Sequence, residues 1–169
     1  CSDVSEEALK VAEQNAALNG CKSVKMQKSN MFEAFNSRLG RKKFDLIISN
    51  PPYIESSVIP TLQREVKDYE PMMALDGGED GLDFYRIIAS EGEDYLQKNG
   101  VIMLEIGYDQ GKAVTEMLQE TGSFVSIRCL KDLAGKDRIV VARLEDKKKR
   151  KNNRKAEKYN RIIIPLLCL

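Results

Sequence analysis

At 169 residues, 42% hydrophobic and 31% charged, the chain has the size and composition of one folded domain with its own apolar core, and no apolar run reaches the roughly 20 residues of a membrane-spanning helix. The net charge of +1 hides a division: residues 1–145 carry 18 Lys and Arg against 24 Asp and Glu, whereas residues 146–169 carry 9 against 2. An acidic body disfavours a nucleic-acid backbone, which leaves the basic tail as its only direct route to one, and four cysteines without a C-x-x-C pair, together with the absence of histidine, exclude zinc, a histidine base and a disulfide framework.

Ser5 is a natural N-cap, and Glu6 and Glu7 follow it in the first turn, where the helix dipole favours negative charge. Leu9, Ala12 and Ala16 then recur on one face until Gly20 supplies a left-handed stop, which predicts a helix of about four turns. Residues 23–28 alternate as a short strand. Phe44–Ser49 (FDLIIS) is a continuous apolar run of the kind expected for a strand buried on both faces. Pro51 and Pro52 forbid regular structure, and a loop with its own short helix follows at about residues 57–67. Residues 77–81 form a glycine turn, 82–97 read as a helix closed by Asn99 and Gly100, and 101–106 (VIMLEI) read as a second buried strand. A helix at 110–120 stopped by Gly122 and two strands at 124–130 and 138–144, most simply antiparallel, complete the body.

Strands alternating with helices of this length imply an α/β fold with a mostly parallel, doubly wound sheet. In such sheets ligands bind beyond the carboxyl ends of the strands, where Asp3, Asn50 and Glu105 fall. After residue 145 the pattern fails, and KKKRKNNRK reads as a basic, disordered tail.

Asn50-Pro51-Pro52-Tyr53 carries the most chemistry. The prolines fix two φ angles and remove two N–H groups, so nearby carbonyls can face a ligand. Asn50 offers a neutral acceptor with two donors, and Tyr53 a flat ring with a hydroxyl. A planar amide or amino nitrogen is a poor nucleophile because its lone pair is delocalised. An acceptor pair, the Asn50 side-chain oxygen and the Pro51 carbonyl, could hold its two N–H groups and aim the nitrogen at an electrophilic methyl. Catalysis would then be positioning and electrostatics, with no strong base. Asn-Pro alone is more simply a capped turn; at the end of a buried strand the four residues mark methyl transfer to a nitrogen without specifying which.

The chain resembles the release factor glutamine methyltransferases in NPPYI, in Glu70-Pro71, in ALDGGEDGLDFYRII at residues 74–88, in LEIG at 104–107 with Gln110-Gly111, and in DLAGKDRIVVAR at 132–143. The resemblance implies a class I S-adenosylmethionine methyltransferase, a Rossmann-like sheet with helices on both faces, acting on a Gly-Gly-Gln glutamine of a peptide chain release factor; the absence of a disulfide framework fits a reducing compartment, by default the cytoplasm. By it, Asp3 accepts the cofactor's ribose hydroxyls, Asn30 and Met31 cradle the adenine, and Asn50, Pro51, Pro52 and Tyr53 clamp the substrate glutamine, Asn50 also facing the cofactor. Glu70 and Pro71 shape the substrate side. Asn30 departs from the Asp usual there, which removes a charge-assisted acceptor. Alternatives are another nitrogen (a ribosomal-protein glutamine or an adenine) and an inactive fragment.

No glycine-rich turn of the G-x-G-x-x-G type occurs in the chain. By the resemblance, that turn, the first two strands and a small helical domain lie upstream of Cys1, leaving residues 1–145 as a partial catalytic domain. The two absent strands would stand between 24–28 and 46–49. Orphaned backbone groups cost about 1–3 kcal/mol each when buried. The expectation is a chain that alone folds poorly and is essentially inactive, with a gap or a foreign partner beside 46–49.

Overall fold

A computed structural model describes residues 1–38, 40–146 and the backbone of 162–163. Its elements run β1 (Ser2–Asp3), α1 (Glu6–Leu18), β2 (Gln27–Lys28), β3 (Asn36–Ser37), β4 (Gly40–Arg41), β5 (Phe44–Ser49), α2 (Arg64–Lys67), α3 (Met72–Leu75), α4 (Asp83–Glu91), β6 (Leu96–Glu105), α5 (Gly111–Glu120), β7 (Phe124–Lys131), β8 (Asp137–Leu144) and β9 (Ile162–Ile163). Of the tail expected at 146–169, only Asp146 and β9 fall within the described residues.

The principal sheet has the order β7-β8-β6-β5-β9. Strand β6 is parallel to β5 and antiparallel to β8, which pairs antiparallel with β7. Register places Ile47, Ile102 and Ala142 in one row and Ser49, Leu104 and Val140 in the next, all on one face and all buried. The amphipathic helices α4, through Tyr85, Ile88 and Ala89, and α5, through Val114 and Leu118, share this core. On the opposite face Leu46, Ile48, Val101, Met103 and Val141 are only half-buried. The run FDLIIS is thus a strand, as its apolar continuity predicts, but it is fully covered on one side rather than two.

Helix α1 begins as expected: Ser5 Oγ accepts the Ala8 N–H at 3.1 Å, and Gly20 adopts φ +72°. Two expectations are corrected. The strand predicted at 23–28 is confined to Gln27–Lys28, because its one partner, β1, is itself two residues long. The helix predicted over 82–97 ends at Glu91 and passes through a 3-10 turn, Gly92–Tyr95, into β6. Leu96 is claimed by pairing with Phe44, and Asn99 at φ +59° carries the bulge that restores register at Val101.

Strands β1 and β2 form a separate parallel pair. The outer edge of β5 pairs with β9 instead, Leu46 with Ile162 and Ile47 with Ile163, also in parallel. Among the described residues no helix is long and apolar enough to cross a membrane.

Candidate functional site

Strand β5 delivers Asn50-Pro51-Pro52-Tyr53 to the carboxyl edge of the sheet, where both prolines are fully buried and Tyr53 packs half-buried against the core. Asn50 is half-buried, and its carboxamide has no hydrogen-bond partner among the described residues. Just before it, Ser49 Oγ is buried and unpaired. The other buried side-chain atom without a partner among the described residues is Asp3 Oδ2. Both orphans therefore stand at the carboxyl ends of parallel strands, where α/β sheets bind ligands, and such groups call for a partner that the described residues do not supply.

The chain beyond Tyr53 is strapped to the 74–81 segment. Ile54 N–H donates to the Leu75 carbonyl (3.0 Å), Gly77 N–H to the Ile54 carbonyl (2.8 Å) and Ser56 N–H to the Gly78 carbonyl (3.0 Å). Contact is close enough to demand glycine: a Cβ at Gly77 would stand 2.8 Å from Tyr53 Cα, and one at Gly81, where φ is +70°, 2.5 Å from the Tyr53 carbonyl oxygen. Asp76 closes the turn by accepting from Ser56 Oγ (2.6 Å) and Gly78 N–H (3.0 Å), bonds that hold its carboxyl below the ordinary aspartate value. Arg86 binds Asp80 of the same loop and Asp83 at the start of α4. Its hydrogen bond lowers the Asp80 pKa in the same way.

Under the platform lies a polar cluster. Burial pushes the Tyr53 phenol above the ordinary tyrosine value and the Glu105 charge adds to that, while the charge and hydrogen bond of Arg138 pull it back. Tyr85 Oη donates to the Glu105 carbonyl at 2.8 Å, and burial raises its pKa strongly. Gln110 joins the platform, the glycine loop and the turn after β6 through its side-chain amide. Glu105 had been placed at a strand's ligand-binding end from sequence, whereas Gln110, Tyr85 and Arg138 were not singled out for site roles. The signal for these three was membership in the matching segments Gln110-Gly111, DFYR and DRIVVAR.

Asp3 is 3% exposed, and its Oδ1 accepts the Ser5 N–H at 2.7 Å. A carboxylate with one oxygen engaged and the other free of donors fits a diol or another pair of hydroxyls. Asn30 is exposed and donates to Glu33 (3.1 Å), which leaves its oxygen as the available atom. Met31, at φ +46°, packs its side chain on the core. Glu70 and Pro71 lie exposed between α2 and α3. The structure thus brings Asn50–Tyr53 together with the glycine loop. It keeps Asp3 on a separate strand pair, and no hydrogen bond among the described residues joins Asp3 or Asn30 to the platform.

A family model for a methyltransferase domain matches residues 2–160. The release factor glutamine methyltransferase of Clostridium acetobutylicum is 46% identical over 143 residues, an alignment that covers 84% of this chain and 49% of that protein. The chain spans about half the length of the curated relatives it matches. A methyltransferase from Pyrococcus furiosus shares the fold with a TM-score of 0.57 at 21% identity, over 85% of this chain and 61% of that one. SMU.776, solved in complex with SAH, has a TM-score of 0.52 at 13% identity over 85% of this chain and 38% of that one.

Proposed function

The chain belongs to the methyltransferase-domain family, and from that premise we propose that it serves methyl transfer from S-adenosyl-L-methionine to the side-chain amide nitrogen of a Gly-Gly-Gln glutamine in a peptide chain release factor. Support comes from the 46% identity to a protein of that name and from one observation above all. A carboxamide without a partner, Asn50, stands at the end of β5 beside a buried Pro-Pro unit strapped in place.

The residues act by holding rather than by exchanging protons. Asn50 Oδ1 and the Pro51 carbonyl accept the two N–H groups of the substrate amide, which fixes its plane. Pro52, buried, denies that plane freedom to tilt, and the Tyr53 ring flanks it with a phenol that stays neutral at physiological pH. With the nitrogen oriented, the entropic and electrostatic share of the barrier is already met. S-adenosylmethionine, when bound, supplies an electrophilic methyl on sulfur. Asp3 Oδ2 takes its ribose hydroxyls, the Asn30 oxygen and the Met31 side chain take its adenine, and Asn50 faces it from the substrate side. Glu70 and Pro71, next to the exposed Tyr69, Met72 and Met73, form an apolar and acidic rim for the release factor.

The test fuses to Cys1 whatever part of the Clostridium relative precedes the matched region and supplies labelled cofactor with a release factor or with DNA. Label is expected on the glutamine of the release factor. Asn50→Ala should lower turnover by about 10²-fold or more with circular dichroism unchanged. Undiminished turnover in that variant refutes the clamp, and label on DNA or on another protein refutes the substrate.

A further inference from the structure

Gln110, at the N-cap of α5, has every polar atom of its side chain engaged by backbone. Its Nε2 donates to the Tyr53 carbonyl (2.9 Å) and the Gly81 carbonyl (3.2 Å), and its Oε1 accepts the Gly107 N–H (2.9 Å). Three loops from distant parts of the chain, those after β5, before α4 and after β6, therefore meet on one carboxamide. The space is closed around it, since a Cβ at Gly81 would stand 2.7 Å from Nε2 and one at Gly107 2.9 Å from Oε1. Only a primary amide of this length donates twice and accepts once there: Glu has no donor at neutral pH, Lys has no acceptor, and Asn is one methylene short.

We propose that Gln110 is the positioning residue of the Asn50–Tyr53 platform. By holding the Tyr53 carbonyl, three residues beyond Asn50, and the Gly81 carbonyl, it sets the distance between the acceptor pair and the glycine loop. It touches neither substrate nor cofactor and acts through Pro51, Pro52 and Tyr53. Its effect on methyl transfer rests on the functional reading above; its effect on the platform does not.

Two measurements separate these claims. Hydrogen exchange on the full chain reads the Ile54, Ser56 and Gly77 amides, which close the strap, against the Val140 amide in the core as a control. In Gln110→Leu the three strap amides are expected to exchange about tenfold faster or more, with Val140 unchanged. Gln110→Glu keeps size and the acceptor for Gly107 but loses both donors, and it should behave alike should the Leu variant fail to fold. In the fusion described above, either variant should lower kcat by about 10–10²-fold while KM for the cofactor moves less than about twofold. Unchanged exchange at the strap amides in both variants, or a loss confined to KM for the cofactor, overturns the proposal. Faster strap exchange in a protein whose wild type does not methylate release factor upholds Gln110 and sinks the functional reading instead.

Discussion

Tyr53 carries both a backbone and a side-chain role, and its ionisation is the part most open to measurement. Burial is the larger cause of its raised pKa, Glu105 the second, and Arg138 opposes both. A raised acid is favoured neutral in the fold. Its contribution to stability is therefore complete below the ordinary tyrosine value of about 10 and is lost as pH rises through the folded value. Near-ultraviolet titration should show a phenol that ionises above that value and disappears in Tyr53→Phe. Arg138→Met, which removes the opposing charge, should move it later still; a shift to lower pH would mean that Arg138 does not face the phenol. At this level the chain was partly legible. Asn50, Pro51, Pro52 and Tyr53 announce themselves because each has a conformational or chemical property few residues share. Gln110 does not, since its bonds go to the carbonyls of residues 57 and 29 positions away, and no spacing rule connects those positions.

The glycine loop between α3 and α4 is the element that turns a strand end into a platform. Gly81 combines φ +70° with a Cβ position 2.5 Å from the Tyr53 carbonyl oxygen, whereas Gly135 has φ +77° with nothing within 4 Å. Ala at Gly135 should cost only the backbone strain, about 1 kcal/mol. Ala at Gly81 adds a clash with backbone that cannot rotate away and should cost roughly 2–4 kcal/mol. Urea midpoints at constant slope would measure both, and equal shifts would show that the loop does not press on Tyr53. The turn itself was legible from Gly77, Gly78 and Gly81. The end of α4 was not: residues 92–97 continue a helical pattern, and what stops it is the pairing of Leu96 with Phe44, a long-range contact that outweighs local periodicity.

Across the whole molecule, the described residues divide the candidate ligand groups between two sheets. Asn50 stands on the five-stranded sheet and Asp3 on the pair β1-β2, while the edge of β5 away from β6 is occupied by Ile162–Ile163. The alternation of strands and helices made β5, β6, β7 and β8 legible, because each of these strands is long enough to carry a pattern. The pairing of β9 was not legible, because the short apolar run at 162–169 carries neither alternation nor a turn signal that would fix it to β5. An elongated cofactor needs the Asp3 carboxylate and the Asn50 platform at a fixed separation, together with backbone N–H groups for its amino-acid end, and no glycine-rich turn in the sequence provides the latter. Holding in register two sheets that share no strand pairing would consume ordering free energy that a small ligand has few contacts to offset. Calorimetric titration with S-adenosylmethionine should therefore give no micromolar binding to the full chain and micromolar binding to the fusion with the relative's upstream part. Asp3→Asn should weaken the fusion, because a carboxamide whose oxygen stays with the Ser5 N–H turns a donor NH2 toward the hydroxyls that Oδ2 now accepts. Micromolar affinity in the unfused chain would mean that β1-β2 and the sheet of β5 already form one site, and that the separation between them is not the obstacle inferred from their topology.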